Sequence, residues 1–351
     1  MLTALLVLSF LIFFHELGHF LAARALGVHV EVFSIGFGKK LFKYRWKGTE
    51  YCFSAIPLGG YVQMKGQDDS DPTKISTDKD SYNSQSPLGR IAILFAGPFA
   101  NFLLAFLLYI AIAIMGVPAL APQIGDIGPD SAGQMAGLQA GDTILEINNK
   151  PIQSWNDIKP LVTQSEGPIS LHVKRENKTL LLTLTPKISQ SQTLFGEPIQ
   201  ERLIGISPSG EVITLYFEGA ELFTYAWEQT LRAATLILQS LQKMIEGVIS
   251  PKEMGGVISI VQVTSDAAKD GIVTLFMLTA LISVNLGVIN LFPIPALDGG
   301  HIMFNLYEMF RGKPPSENVY AKMTYAGWGI LLTLMAFTII NDILRLSGAY
   351  Q

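Results

Sequence analysis

Four stretches of this chain are apolar for long enough to cross a lipid bilayer, and they limit the available folds more than any other feature. They run over Leu2 to Leu26, Ile91 to Met115, Ile272 to Leu297 and Met323 to Ile340. A bilayer core of about 30 Å takes roughly 20 apolar residues as a helix. Lipid offers no partner to free backbone groups, so each stretch is expected to be helical. A mean hydropathy of +0.35 and only 15% charged residues fit that reading and not a purely soluble protein. The formal net charge of −4 argues against nucleic acid as a partner. Cys52 is the single cysteine, so an internal disulfide framework is excluded.

The first stretch carries His15-Glu16-Leu17-Gly18-His19 about midway along it, and residues Met1 to Ala23 hold no other charged side chain. On a helix, H-E-x-x-H places two imidazoles on one face, a spacing suited to one zinc ion, with the glutamate between them available as a base. Ionisable groups at membrane depth are costly and default to a functional reading. A signal peptide cleaved at Ala23-Arg24-Ala25 is the competing reading. It is disfavoured because residues 1 to 14 have no basic n-region and cleavage would discard both histidines.

Orientation follows from the basic residues. The connection from Gly27 to Arg90 holds nine lysines and arginines and that from Asp298 to Lys322 holds three, so both are expected on the cytoplasmic side. The termini and the long segment from Gly116 to Gly271 are then expected on the opposite side. Between the first two spans, Val28 to Phe37, Leu41 to Trp46, Tyr51 to Ile56 and Gly59 to Val62 are short aromatic and β-branched runs. With Gly38, Gly48 and Pro57 as punctuation, they read as β-hairpins. The run Gly66 to Ser86, with Asp68, Asp69, Asp71, Asp78 and Asp80, fits no EF-hand spacing and reads as a solvated linker.

From about Pro122 to Ser207 the pattern is that of a soluble domain of short strands. Ser131-Ala132-Gly133, Ala136-Gly137-Leu138, Ala140 to Asn148 and Pro151-Ile152 resemble the core of a bacterial PDZ domain, with Gly137 and Gly141 at tight turns. Such a domain binds an extended peptide, often its C-terminus, by strand addition, or it acts as a spacer that restricts access. From Glu218 to Ile249 the apolar residues Phe223, Trp227, Ala234, Leu238, Leu241, Ile245 and Val248 recur at helical spacing. Glu228, Arg232, Gln239 and Lys243 fall between them, giving an amphipathic helix expected on the membrane surface. Gly255-Gly256 marks a close approach of backbone to another element.

A catalytic zinc site takes three protein ligands and leaves a fourth position open. The third donor should lie at similar depth, and Asp298 closes Asn290-Leu291-Phe292-Pro293-Ile294-Pro295-Ala296-Leu297-Asp298-Gly299-Gly300. Two prolines break the helix there, which membranes tolerate only beside protein or a wet cavity. His301 is the competing third ligand. His29 and His172 read as ordinary hairpin and soluble-domain residues.

The H-E-x-x-H of the first span, Gly-Pro-Phe-Ala-Asn at residues 97 to 101, the PDZ-like insertion and N-x-x-P-x-P-x-L-D-G at Asn290 to Gly299 together resemble the site-2 protease family of intramembrane zinc metalloproteases. The likeness is to its bacterial RseP-type branch, with one PDZ domain where some members have two. The resemblance implies a multi-pass α-helical membrane protein of about four transmembrane helices, with a membrane-associated β-hairpin region and an inserted soluble PDZ-like domain. The organisation expected is a membrane region over 1–116, a PDZ-like domain over 117–210, an amphipathic surface helix and connector over 211–270, and a second membrane region over 271–351.

The resemblance also implies Zn2+ held by His15, His19 and Asp298, with Glu16 as catalytic base and Asn290 binding substrate backbone or the oxyanion. Asn101 assists or bonds helix to helix. A re-entrant hairpin at about residues 30 to 64 would hold substrate in extended form. The implied partners are lipid and single-pass membrane proteins such as anti-sigma factors or remnant signal peptides, cut in the bacterial inner membrane. A metal transporter is the alternative, but the internal repeats and several intramembrane carboxylates expected of one are not seen.

Overall fold

The structure is a computed structural model that describes residues 2–67 and 76–348; Asp68, Asp69 and Asp71 of the acidic run lie outside them. The chain divides into two compact units, Met1–Ile112 with Phe223–Gln351, and Ala113–Leu222. The first unit begins with α1 (Leu2–Ala25), whose buried residues Ala4, Leu11, Gly18 and His19 form one stripe. Leu2, Leu6, Phe10 and Leu21 point outward. A helix that packs small residues inward and leucines outward is suited to lipid on its outer side.

One long hairpin follows, β1 (Val30–Trp46) paired antiparallel with β2 (Thr49–Met64), over the span of about 30 to 64 that the resemblance implies and in place of the several hairpins read from the residue pattern. Only Lys47-Gly48 makes the turn, with φ of 47° and 86°, the paired positive values of a two-residue hairpin loop. Gly36 and Gly38 also have positive φ, but they sit where the register slips between Ile35 and Lys40. They are bulge residues that bend a continuing strand. The base of the hairpin packs Val30, Phe33, Val62 and Met64 against α1 and its neighbours, while Phe42, Tyr44 and Trp46 near the tip are exposed.

The linker reading needs correction over its described part. Tyr82 and Ser81 are buried, and Lys65 bridges Asp78 and Asp80 at 2.8 Å each. The second span, α2 (Pro87–Met115), carries Pro98 in its interior.

The second unit holds β3 (Val117–Leu120), β4 (Ile124–Ile127), α3 (Ala132–Met135), β5 (Thr143–Ile147), β6 (Lys150–Pro151), α4 (Ile158–Thr163), β7 (Ile169–Arg175), β8 (Lys178–Leu184), β9 (Lys187–Gln192), β10 (Pro198–Leu203), β11 (Ile206–Pro208) and β12 (Val212–Leu215). An antiparallel sheet in the order β6-β5-β7-β8 carries the core, with β4 paired to β11 and β3 to β12. Ile144, Ile147, Ile169, Leu171 and Val173 are fully buried there; the three on β7 alternate as inward residues do, and a register shift in β5 spaces Ile144 and Ile147 by three. Gly137 and Gly141 have φ of 79° and 90°, as their turn positions require. Arg175 donates from Nε and Nη2 to the two oxygens of buried Asp142 at 2.7 and 2.8 Å. Burial pushes that carboxyl up, but the guanidinium and the Gln139 N–H outweigh it and hold its pKa below the ordinary value.

The first unit resumes with α5 (Ala220–Ile245), α6 (Val257–Asp270), α7 (Ile272–Asn290), α8 (Asp298–Arg311) and α9 (Glu317–Leu346). On α5, Ala226, Thr230 and Ala233 are buried, while Phe223, Trp227, Leu231, Leu238 and Ile245 are exposed. Gly256 caps α6, and a Cβ there would lie 2.7 Å from Asp342 Oδ2. Asp342, buried within α9, accepts the N–H groups of Gly256, Ile258 and Ser259 at 3.0–3.1 Å. It thereby supplies acceptors to the otherwise unpaired first turn of α6.

Among the described residues four helices are long and apolar enough to cross a membrane: α1, α2, α7 and α9. The third ends at Asn290 rather than Leu297, because the chain from Leu291 to Leu297 is a loop held by local turns such as Leu297 N–H to Ile294 O at 2.9 Å. The fourth is longer than expected at both ends.

Candidate metal centre

Helical spacing brings His15 and His19 onto one face of α1, and the loop after α7 brings Asp298 to them as the first residue of α8. The loop can reach this position because Gly299 and Gly300 lack side chains. A Cβ on Gly299 would lie 2.3 Å from Leu291 O, and one on Gly300 2.2 Å from Ile294 O. His15 Nε2 lies 3.2 Å from Asp298 Oδ2, and His19 Nε2 lies 3.4 Å from Asp298 Oδ1. The two Nε2 atoms are 3.2 Å apart. The 3.2 Å between the two nitrogens suits two ligands of one zinc ion at bonds of about 2.0 Å, and each nitrogen has a different oxygen of the carboxylate at a similar distance.

The donor chemistry agrees with the distances. Asp298 Oδ2 is buried and, apart from His15 Nε2 at 3.2 Å, meets no donor among the described residues, a costly state for a carboxylate oxygen unless a cation occupies the space before it. His19 Nδ1 lies 2.9 Å from the carbonyl of Ile93 on α2. A carbonyl only accepts, so that nitrogen carries the proton and Nε2 presents a bare lone pair to the cluster. The residues therefore fit a zinc ion.

His301 lines the same cavity, but its Nδ1 is 2.8 Å from the hydroxyl of Tyr320. It stands outside the three-donor group formed by His15, His19 and Asp298. Asn290, at the end of α7, has Nδ2 3.5 Å from His15 Nε2. Asn101 Nδ2 is 3.1 Å from His15 Nδ1. His29 sits at the base of the hairpin, where its N–H meets Asp80 O, and His172 pairs with Glu146 at 3.1 Å on the sheet of the second unit. Neither belongs to the centre.

Glu16 lines a cavity of about 1240 Å³ together with His15, His19, Asn290 and Asp298. The strand β2 borders it at Gly60, where a Cβ would come within 3.1 Å of Glu16 Cγ. A carboxylate, three residues that could hold a cation and a strand thus meet in one cavity.

Two supports of the centre escape residue-type reasoning. One is the Ile93 carbonyl. The other is Gly97, where a Cβ would lie 2.2 Å from His19 Nε2. Gly97→Ala is expected to displace the ring and abolish stoichiometric zinc binding. Helix content should be unchanged, since alanine is the better helix former. Metal analysis beside far-UV circular dichroism of the purified variant checks this.

Membrane-length helices around a three-donor cation site with a neighbouring carboxylate define a membrane metalloprotease. The model of Peptidase family M50 matches residues 3–334, and the chain belongs to that family, the site-2 proteases. A Campylobacter jejuni relative, "Putative zinc metalloprotease Cj1068", is 52% identical over 348 residues, covering 99% of this chain and 94% of the relative. "Protease RseP" of Yersinia pestis is 32% identical over 447 aligned positions, covering 97% and 98%. "Regulator of sigma-E protease RseP" of Salmonella typhimurium is 30% identical with the same coverage. The chain is a zinc metalloprotease of the membrane.

Proposed function

We propose that the chain hydrolyses peptide bonds within the transmembrane segments of single-pass membrane proteins, with His15, His19 and Asp298 holding the zinc and Glu16 as catalytic base. The observation that carries this is the meeting of two imidazole nitrogens 3.2 Å apart, a carboxylate whose two oxygens lie 3.2 and 3.4 Å from them, and Glu16 in a cavity bordered by β2. When bound, the metal supplies Lewis acidity to the attacking water and the scissile carbonyl. Glu16 takes the water's proton and passes it to the leaving amine. Asn290, beside His15, donates an N–H toward the substrate backbone or the developing oxyanion.

A substrate helix hides its carbonyls in i to i+4 bonds, so the reacting segment must be extended. Pairing with the open edge of β2 compensates the backbone groups this frees. The sheet of Ala113–Leu222 is read as a PDZ-like domain that takes a peptide C-terminus or restricts access. A single such domain is supported by the alignments to the RseP proteins, which run over 447 positions against a chain of 351 residues. The outward apolar stripe of α5 rests on the membrane surface. By the distribution of lysine and arginine, the hairpin faces the cytoplasm and the termini lie outside. Anti-sigma factors and remnant signal peptides are the substrate classes favoured, the former in keeping with the name of the Salmonella typhimurium relative.

The test is cleavage of a single-pass substrate by the full chain in liposomes, with product ends read by mass spectrometry. The expected cut lies inside the apolar segment, is stopped by a zinc chelator and returns with zinc. Cleavage confined to the flanking soluble residues would overturn the proposal.

A further inference from the structure

We infer that Asn101 is a positioning residue that makes His15 a zinc ligand by accepting the proton of its Nδ1. This rests on the metal centre proposed above. An imidazole binds a cation through a bare nitrogen, and the proton on its other nitrogen needs an acceptor to hold the tautomer and the ring plane. For His19 the Ile93 carbonyl is that acceptor, at 2.9 Å. For His15 the group at Nδ1 among the described residues is the Asn101 amide, 3.1 Å away.

With Nδ2 facing the ring, the amide donates to Nδ1, and the ring proton is forced onto Nε2, the atom that faces Asp298 and His19. In that orientation Asn101 Oδ1 is buried and has no hydrogen-bond partner. The amide's oxygen and nitrogen are near-isosteric and are assigned by their network. Turning the amide over places Oδ1 on Nδ1–H, gives the orphaned oxygen a partner and bares Nε2 for the metal. The rotation moves the amide nitrogen to the buried position the oxygen leaves, and its gain is the bare Nε2 that faces Asp298 and His19.

The backbone holds this residue in place for the task. Asn101 is fully buried, and its carbonyl accepts from Ser283 Oγ of α7 at 2.8 Å. Ile93, Gly97 and Asn101 succeed one another by four residues on α2, as His15 and His19 do on α1. The contacts run in opposite chain directions, His19 against Ile93 and Gly97 and His15 against Asn101. Each histidine of the pentapeptide therefore meets its own support on one stripe of α2. A purely packing role would need volume at this position; the inferred role needs an acceptor.

The experiment measures the zinc dissociation constant of the detergent-solubilised full chain against a chromophoric chelator, with no substrate present. Asn101→Leu is expected to weaken zinc binding about 10–100-fold, the usual effect of removing such a support. Asn101→Asp, which keeps only acceptors, is expected to bind zinc close to the unsubstituted chain. Asn101→Asp as weak as Asn101→Leu would overturn the acceptor role, and so would Asn101→Leu binding normally. If the leucine variant does not fold, the aspartate variant alone decides, since it can only accept from His15. His15→Ala is the control. If it binds zinc normally the metal centre itself is misplaced, whereas if it loses zinc and Asn101→Leu does not, only the present inference fails.

Discussion

Glu16→Gln is expected to lower cleavage of a transmembrane substrate by about 10²–10⁴-fold, the range for losing a positioned general base, while zinc content stays at one ion per chain. The amide keeps the size of the carboxylate and its place in the cavity beside His15 and His19, but it cannot take a proton from water. Because Glu16 stands outside the group of close donors, the metal should remain. Quantified cleavage in liposomes beside metal analysis checks both halves. Full activity in the zinc-loaded variant would remove Glu16 from the mechanism.

Asp298→Asn is expected to have the second large effect, for a different reason. The carboxylate supplies the negative charge of the site and stands within 3.4 Å of both Nε2 atoms. An amide keeps the shape and loses the charge. Zinc affinity should fall by more than the roughly 100-fold that loss of a supporting contact costs, and proteolysis should fall with it. Excess zinc should restore part of the activity of Asp298→Asn and none of that of Glu16→Gln. This split distinguishes a metal ligand from a base in one titration.

The parts of this fold written as long side-chain patterns were legible in advance. The first two spans appear where continuous apolar runs place them, and α5 follows the 3.6-residue recurrence of its aromatic and leucine residues. The third span was legible in part: Pro293 and Pro295 mark the break that ends α7 at Asn290, while the apolar run, continuing to Leu297, set its expected end too far along. Hydropathy reports burial and is blind to backbone geometry. The residue pattern, unlike the resemblance, divided the hairpin into too many pieces for a related reason: Gly36 and Gly38 carry the positive φ of turn residues yet serve as bulges inside a strand. Residue type alone cannot separate those uses.

At the candidate metal centre the same division holds. His15, His19 and Asp298 carry chemistry in their side chains and could be picked out one by one; the structure brings these three together and sets His301 against Tyr320. Their supports are backbone features. The Ile93 carbonyl leaves no mark in residue identity, and Gly97 matters for the atom it lacks. Asn101 was visible as a polar residue in an apolar span, but its contact with His15 depends on the register between α1 and α2. That register is set where the helices touch, Gly18 admitting the Ala96 carbonyl to within 2.1 Å of where a Cβ would stand.

The most direct measurement of the central claim is zinc K-edge X-ray absorption of the purified full chain in detergent. The account predicts two imidazole nitrogens and carboxylate oxygen at about 2.0–2.1 Å with no sulfur scatterer, and loss of the imidazole signature in the His15→Ala, His19→Ala double variant. A shell containing sulfur at about 2.3 Å, or an imidazole signal that survives that double substitution, would contradict it.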